Sequence, residues 1–257
     1  MDTTTFATYP SLKNRSVIIS GGASGIGEGL VEAFAAQCAR VAFLDIQDEA
    51  AGALIERIAT AGHTKPNYYH CDITNIDDLR NVAAQIEQAH GTVDVLVNNA
   101  GNDTRHRIED VTPELWDAAM QVNLRHQFFL SQAVLPAMQR QQRGSIIHLS
   151  SISWMIPSTG LPAYVTAKAA IVGLTRTLAH EVGKDNIRVN AVLPGAILTE
   201  RQRRLWMTPE YTAEVMSRQA LKRHLYADDV ARTVLFLAAD DSSAITNQSL
   251  IVDGGWV

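Results

Sequence analysis

The chain has 257 residues, 46% of them apolar, and its 22 basic and 27 acidic side chains leave a net charge of −5. That mild acidity argues against a nucleic-acid binder, which presents a basic surface, and no apolar run is long enough to span a bilayer. The length suits one α/β domain.

The opening MDTTTFATYP has neither a basic stretch nor an apolar core, so no signal peptide is expected and a cytoplasmic, reducing setting is the expectation. SVIIS (16–20) predicts a buried strand, GIGEGLVEAFAAQC (25–38) a helix, and RVAFLD (40–45) a second strand. DEAAGALIERIATA (48–61) predicts a helix with acids in its first turn, where they suit the dipole. NYYHC (67–71) reads as a strand, 75–90 as a helix, and VDVLVNNAG (93–101) as a strand running into a loop. Residues 112–141 predict one long helix or two, entered through Thr112 as cap and Pro113 as first residue. Strand 144–150, helix 161–182, strand 186–194, helix 226–240 and a closing strand within 248–255 complete the rhythm. About seven continuous apolar strands joined by amphipathic helices predict an α/β, doubly wound parallel sheet covered on both faces, in a single domain over 1–257. Residues 195–225 break the rhythm; their helical patterning and Trp206 suggest a substrate-binding lid. Cys38 and Cys71 sit beside predicted strands and are expected to be buried free thiols. The eight histidines are scattered without metal-ligand spacing, so no metal site is expected.

After the first strand comes SGGASGIG, with Gly21, Gly25 and Gly27 in a turn that opens a helix. Such a loop lets backbone approach a pyrophosphate, and the helix offers it free N–H groups. Asp45 ends the second strand, 18 residues beyond Gly27, and can accept hydrogen bonds from the adenosine ribose or stand as a solvated carboxylate. Its charge repels a 2′-phosphate and no basic residue follows it, so NAD is favoured over NADP. Asp72 could bond the adenine edge or lead the next helix. Asn98 and Asn99, at the carboxyl end of a strand, could hold a cofactor or a neighbouring strand.

AYVTAKAA (163–170) places Tyr164 and Lys168 one turn apart on one helix face. Alcohol oxidation needs a base; moving a phenol from pKa ~10 toward ~7 takes roughly 4 kcal/mol. A cation at ~4 Å in an effective dielectric of ~20 supplies about that much. Ser151, 13 residues before Tyr164, could hold the substrate oxygen. Asn123, mid-helix, could anchor a relay water or bond backbone.

Ser20, the three glycines, the NNAG of 98–101, Asn123, Ser151, Tyr164, Lys168 and the Pro194–Gly195 pair together resemble the short-chain dehydrogenase/reductase family, over about residues 14 to 257. The resemblance implies a Rossmann-type fold and a tetrad of Asn123, Ser151, Tyr164 and Lys168, with Tyr164 as acid/base, Ser151 orienting the reacting oxygen and Asn123 positioning the relay water. Lys168 would hold the nicotinamide ribose and lower the tyrosine pKa. Cofactor contacts are expected from Gly21, Ser24, Gly25, Ile26 and Gly27 in the first loop, and from Asp45, Ile46, Asp72 and Ile73 at the adenosine end. Asn99, Ala100, Gly101, Tyr164, Lys168, Pro194 and Gly195 would complete them, with Ile197 and Thr199 gripping the carboxamide. A homotetramer is implied as well. Ser20 stands where threonine is usual, and Trp154 near where many members carry a small residue.

YPSLK, FLDI, VDVLVNNAGNDTRH, VNLRH, SSISW, the TPE of 208–210 and VLFLAADD together are similar to bacterial aldose 1-dehydrogenases of that family, which implies oxidation of a pyranose C1 hydroxyl to the lactone. Asn102, Ser151, Ser153, Trp154, Tyr164 and Trp206 are the expected substrate contacts, with the tryptophans stacking on a sugar face; Asp103 and His106 could bond further hydroxyls. The RQRR run (201–204) reads as a solvated helix face. A 3-oxoacyl thioester or other ketone reductase is the alternative, and a non-enzymatic NAD-binding scaffold a third reading that the complete tetrad opposes.

Overall fold

The computed structural model describes residues 7–257; the first six, where no leader is expected, lie outside the described residues. Seven strands form one sheet: β1 (Ser16–Ser20), β2 (Arg40–Asp45), β3 (Asn67–His70), β4 (Val95–Asn98), β5 (Gly144–Leu149), β6 (Ile187–Pro194) and β7 (Ser249–Val252). Their order is β3-β2-β1-β4-β5-β6-β7, and every pairing is parallel. Helices α1 (Gly25–Ala36), α2 (Asp48–Thr60), α3 (Ile76–His90), α4 (Pro113–Met120), α5 (His126–Arg140), α6 (Pro162–Val182), α7 (Glu200–Leu205), α8 (Pro209–Arg218) and α9 (Ala227–Ala238) connect them. None is long and apolar enough to cross a membrane, among the described residues.

Strand periodicity divides the core. In β1, Val17 and Ile19 join Leu30 and Phe34 of α1 and Val230 and Val234 of α9, while Ile18 joins Leu79 and Ile86 of α3 and Leu130 and Val134 of α5. β5 repeats this, with Ile147 on the first face and Ile146 on the second. Side chains alternate across a strand, so a strand apolar at every position requires helices on both faces. The doubly wound sheet expected from the sequence is therefore the observed one.

Several boundaries differ. α1 stops at Ala36 and Cys38 takes a left-handed φ of 59°, which turns its thiol outward; Cys38 is exposed, against the expectation of burial, while Cys71 is buried, and both are free. The segment 112–141, expected as one long helix or two, is two, with a π-helical turn, Gln121–Arg125, between them. The closing strand ends at Val252 because Gly254 and Gly255 both take positive φ. Residues 195–225 hold the two short helices α7 and α8, each capped by a threonine: Thr199 accepts from Gln202 N and Thr208 from Tyr211 N.

The strand order reverses between β1 and β4, so the loops leaving these neighbours diverge to opposite faces and open a crevice at their carboxyl ends. The lips are fastened together. Ser20 Oγ accepts from Asn99 N (3.1 Å) and Ala100 N (3.2 Å), and Asn99 Nδ2 donates to Ser20 O (3.1 Å) and Gly21 O (2.8 Å). Asn98 faces the other way, its Nδ2 donating to Ser131 Oγ (3.1 Å) and Gln127 O (3.3 Å) on α5, a structural role. Ser20→Ala leaves two amides without their acceptor and should cost about 1–3 kcal/mol, read as a lower denaturant midpoint at unchanged m-value, whereas Ser20→Thr should keep stability close to that of the parent.

Candidate active site

A cleft of about 1420 Å³ runs along the carboxyl ends of the strands, from Asp45 and Asp72 past the first glycine loop to Tyr164 and the α7–α8 segment. It exceeds the ~300–1,000 Å³ of ordinary small-molecule sites and is large enough for a dinucleotide together with a second ligand. Its floor is built for close approach. A Cβ on Gly27 would lie 1.8 Å from Gly21 O, so only glycine lets α1 start directly beneath the turn. Gly21 itself has φ +67° and lies against Ala100. The N-terminal end of α1 opens onto this floor, which fits an anionic pyrophosphate.

At the adenosine end Asp45 is 7% exposed. Its Oδ1 accepts from Ile46 N (2.8 Å) and from Gln47 N (3.1 Å) and Nε2 (3.2 Å); among the described residues its Oδ2 accepts only from Ala23 N (2.9 Å). The carboxylate thus shapes the first loop and keeps acceptor capacity on Oδ2. Gln47 Nε2 also reaches Ser24 Oγ (3.0 Å). Asp72 Oδ1 accepts from Thr74 N (2.9 Å) and Thr74 Oγ1 (2.8 Å), which makes it a turn-former that also lines the cleft.

Tyr164 stands in the first turn of α6, which Pro162 opens. Ser150 Oγ donates to Lys168 O (2.7 Å) and pins α6 to the end of β5. Lys168 Nζ donates to Leu149 O (2.8 Å) and lies 5.5 Å from the centroid of the Tyr164 ring. Ser151 Oγ accepts from Ser153 N (3.0 Å), and its hydroxyl faces the Tyr164 phenol. Asn123 sits in the π-helical turn, is 1% exposed, and does not line the cleft. Its Oδ1 accepts from Asn102 N (2.8 Å) and its Nδ2 donates to Asn102 O (3.1 Å) and Ala119 O (3.0 Å). A Cβ on Gly101 would meet Asn123 Oδ1 at 3.1 Å and Lys168 Nζ at 3.3 Å, so that glycine brings amide and ammonium to one point.

The shift at Tyr164 runs opposite to the lowering expected from Lys168. Burial pushes the phenol above its ordinary value, the Asp103 carboxylate adds to the rise, and the Ser151 hydroxyl pulls the other way. Lys168 is turned toward a backbone carbonyl, and burial lowers it to about 8 against the lift from Asp103. Behind it, burial first and the Lys168 charge second push the enclosed imidazoles of His126 and His148 down to about 3, so both are neutral at physiological pH.

The other expected contacts separate. Gly21, Ser24, Gly25, Ile26, Ile46, Ile73, Asn99, Ala100, Gly101, Asn102, Ser153, Pro194, Gly195, Ile197 and Thr199 all line the cleft. Trp154 and Trp206 do not: Trp154 ends a short 3-10 turn at 36% exposure, and Trp206 packs against the Arg105 guanidinium, 4.3 Å from its ring centroid. Besides Tyr164, the aromatic residues lining the cleft are Tyr211, Tyr226 and Trp256, and Arg105 lines it near the Tyr211 ring. Tyr211, Tyr226 and Trp256 lie in no motif, while Arg105 lies in the NNAGNDTRH stretch with no local sign that it reaches the cleft; Trp256 follows the closing glycines, where no periodicity marks it. The 201–204 run is not a uniform solvated face either. Arg201 reaches from α7 to Asn102 Oδ1 (3.0 Å), Asp103 Oδ1 (3.2 Å) and Thr104 Oγ1 (3.3 Å).

The family model described as Enoyl-(Acyl carrier protein) reductase matches residues 21–257. The chain belongs to the short-chain dehydrogenase/reductase family. It is 52% identical over 247 residues to a "Probable galactose dehydrogenase" of Rhizobium meliloti (strain 1021), covering 96% of each chain. It is 48% identical over 250 residues to a D-xylose 1-dehydrogenase of Caulobacter vibrioides, covering 97% of this chain and 98% of that one. Among solved structures, a 7α-hydroxysteroid dehydrogenase complexed with NADH and 7-oxo glycochenodeoxycholic acid superposes with a TM-score of 0.90 at 32% identity, covering 96% of each chain. The protein is thus an oxidoreductase whose coenzyme is NAD or NADP.

Burial of Lys168 has a thermodynamic signature. Its folded pKa, about 8, lies below the ordinary 10.5, so below pH 8 the folded state carries a desolvated charge at full cost. Between those two values the unfolded chain binds more protons, and stability rises with pH. Lys168→Met should therefore be more stable than the parent at neutral pH, by about 1–3 kcal/mol. That margin should shrink as pH climbs through the same window, as measured by denaturant unfolding at several pH values.

Proposed function

We propose that the protein oxidises the C1 hydroxyl of an aldopyranose of the xylose, arabinose, galactose or fucose type to the lactone, with NAD as the preferred coenzyme. The observation that carries this reading is the convergence, at one end of a dinucleotide-sized cleft, of Tyr164, Ser151 and Lys168 with the polar loop Asn102–Asp103. The sugar dehydrogenases named among its relatives support it.

Ser151, held by Ser153 N, donates its proton to the reacting oxygen and orients it. Tyr164 Oη takes the hydroxyl proton as the C1–H bond breaks and the carbonyl forms. Lys168 binds the nicotinamide ribose with the N–H groups that Leu149 O leaves free. When bound, the dinucleotide accepts the hydride and brings a positive charge beside the phenol. Asn123, its donors and one oxygen lone pair already engaged, fixes Asn102 at the substrate end, and its remaining lone pair is where a relay water would attach. Residues 195–225 act as the lid. A polar wall beside the reacting groups favours a polyhydroxylated substrate over a long acyl chain.

Asp45 supports NAD over NADP: Oδ2 has room for a ribose hydroxyl and its charge opposes a 2′-phosphate. A cytoplasmic setting and a homotetramer belong to the same reading; Leu115, Phe128 and Ile251, 40%, 40% and 41% exposed, support an assembly that covers them.

The test is reduction of NAD followed by absorbance with a panel of aldoses beside a 3-hydroxyacyl thioester. Turnover of an aldose is expected; turnover of the thioester alone overturns the reading. Tyr164→Phe should lower kcat/KM by at least about 10² while the fold and NADH binding persist, since general acid–base catalysis contributes that much. Asp45→Ser should raise the NADP-to-NAD ratio of kcat/KM at least about tenfold, or ~1.4 kcal/mol, as measured with the same sugar.

A further inference from the structure

The loop after β4 is clamped at three points. Asn102 is bonded to Asn123 through both of its backbone polar atoms, Asp103 accepts from Arg201 and Gln202 of α7, and His106 N donates to Gly160 O (2.8 Å). Gly160 stands just before Pro162 opens α6, and a Cβ on it would lie 3.9 Å from Arg105 Cβ. Arg105 therefore springs from the entrance to the helix whose first turn carries Tyr164. Its guanidinium carbon lies 4.3 Å from the centroid of the Trp206 ring and 5.7 Å from that of Tyr211, and Arg105 and Tyr211 both line the cleft.

The acids of the same loop are engaged elsewhere: Asp103 with Arg201 and Gln202, and Glu109 and Asp110 with Arg107. Among the described residues Arg105 makes no hydrogen bond or ion pair, whereas Arg201 is spent on its loop partners and Arg223 on Asp229. Arg204 also lines the cleft without such a partner, but among the described residues no aromatic ring holds it. Arg105 is thus fixed by ring faces alone, which leaves its N–H donors for a ligand.

We infer that Arg105 is the specificity-determining residue for the sugar hydroxyls away from the reacting carbon, gripping two on neighbouring ring carbons with one edge of its guanidinium. The inference rests on the reading of the substrate as an aldopyranose. Asn102 stands at the reacting end, next to the point where Gly101 meets Asn123 and Lys168, and the loop runs from there toward α8. Arg105 therefore meets the part of the ring remote from C1. The planar fork that matches the two oxygens of a carboxylate also spans two adjacent hydroxyl oxygens. An ammonium reads one oxygen as a point charge; a guanidinium reads a pair, and with it their relative configuration. Trp206 and Tyr211 hold the group beforehand, so less side-chain freedom is lost when a sugar binds.

The test pairs Arg105→Met, whose stem can still pack on Trp206, with sugars lacking one ring hydroxyl at a time. kcat/KM is measured with NAD for the aldose turned over best and for each of its deoxy forms. In the parent, loss of either of two adjacent hydroxyls should lower kcat/KM about tenfold or more, as expected for a hydrogen bond to a charged group. Arg105→Met should lower kcat/KM for the intact sugar by about ten- to a hundredfold, chiefly through KM, since the grip is the same before and during hydride transfer. In that variant the two deoxy penalties should shrink to within about threefold, while those at other hydroxyls stay as they were. Differences in intrinsic reactivity among the sugars cancel in this comparison. Arg105→Lys keeps the charge without the fork and should restore at most one of the two penalties; restoration of both overturns the paired grip. Unfolding midpoints and NADH fluorescence titrations establish that each variant is folded and binds coenzyme. A residue that only supports Trp206 would lower every sugar alike, so deoxy penalties equal in parent and variant overturn the inference. A parent enzyme that turns over no aldose overturns the substrate reading instead, and the two failures are distinct.

Discussion

The four hydrogen bonds between the Ser20–Gly21 turn and the start of the 99–101 segment hold the whole site in place. β1 and β4 are neighbours in register, with Ser20 opposite Asn98, yet their chains leave toward opposite faces. Parallel pairing ends where the chains part, and beyond it these bonds and the packing of Gly21 against Ala100 join the two loops. Fastened, they present one floor: Gly27 beneath Gly21 on one side, and Gly101 against Asn123 and Lys168 on the other. The serine does this with a single oxygen that accepts twice, which is why the exchange for the family's usual threonine is a mild one.

Much of this was legible in the sequence, for a physical reason. A parallel sheet buried on both faces needs continuous apolar strands, and these stand out in SVIIS, RVAFLD and GSIIHL. The glycine turn, the strand-end acids and the Tyr164–Lys168 spacing were also readable, because local geometry fixes what they can do. What was not readable depends on contacts between distant segments. The tryptophans expected to flank the substrate do not line the cleft, since nothing local says which side of a short turn faces the cleft. Arg201 sits in a run whose local pattern reads as a solvated face, and its partners lie about a hundred positions away, at Asn102, Asp103 and Thr104. The π-helical turn was hidden because its residues keep helical patterning while the bonding shifts by one residue.

The electrostatics of the site follow from burial more than from pairing. Tyr164 and Lys168 are each driven toward their neutral forms by desolvation, and the two neighbouring imidazoles are driven the same way. A charge at the rim of such a site acts on both groups. Asp103 is such a charge, and it is carried by a loop that a second segment grips.

The π-helical turn between α4 and α5 sets a strict length requirement on the chain before it. Asn123 meets Asn102 through both of that residue's backbone atoms, a match that depends on the angle at which the amide leaves its helix. One residue more or fewer between Thr112 and Asn123 would swing that amide by about 100° around the helix axis. Homologous chains should therefore accept changes of side chain along α4 far more readily than changes of length, and gaps should gather instead in the turns at the opposite rim of the sheet.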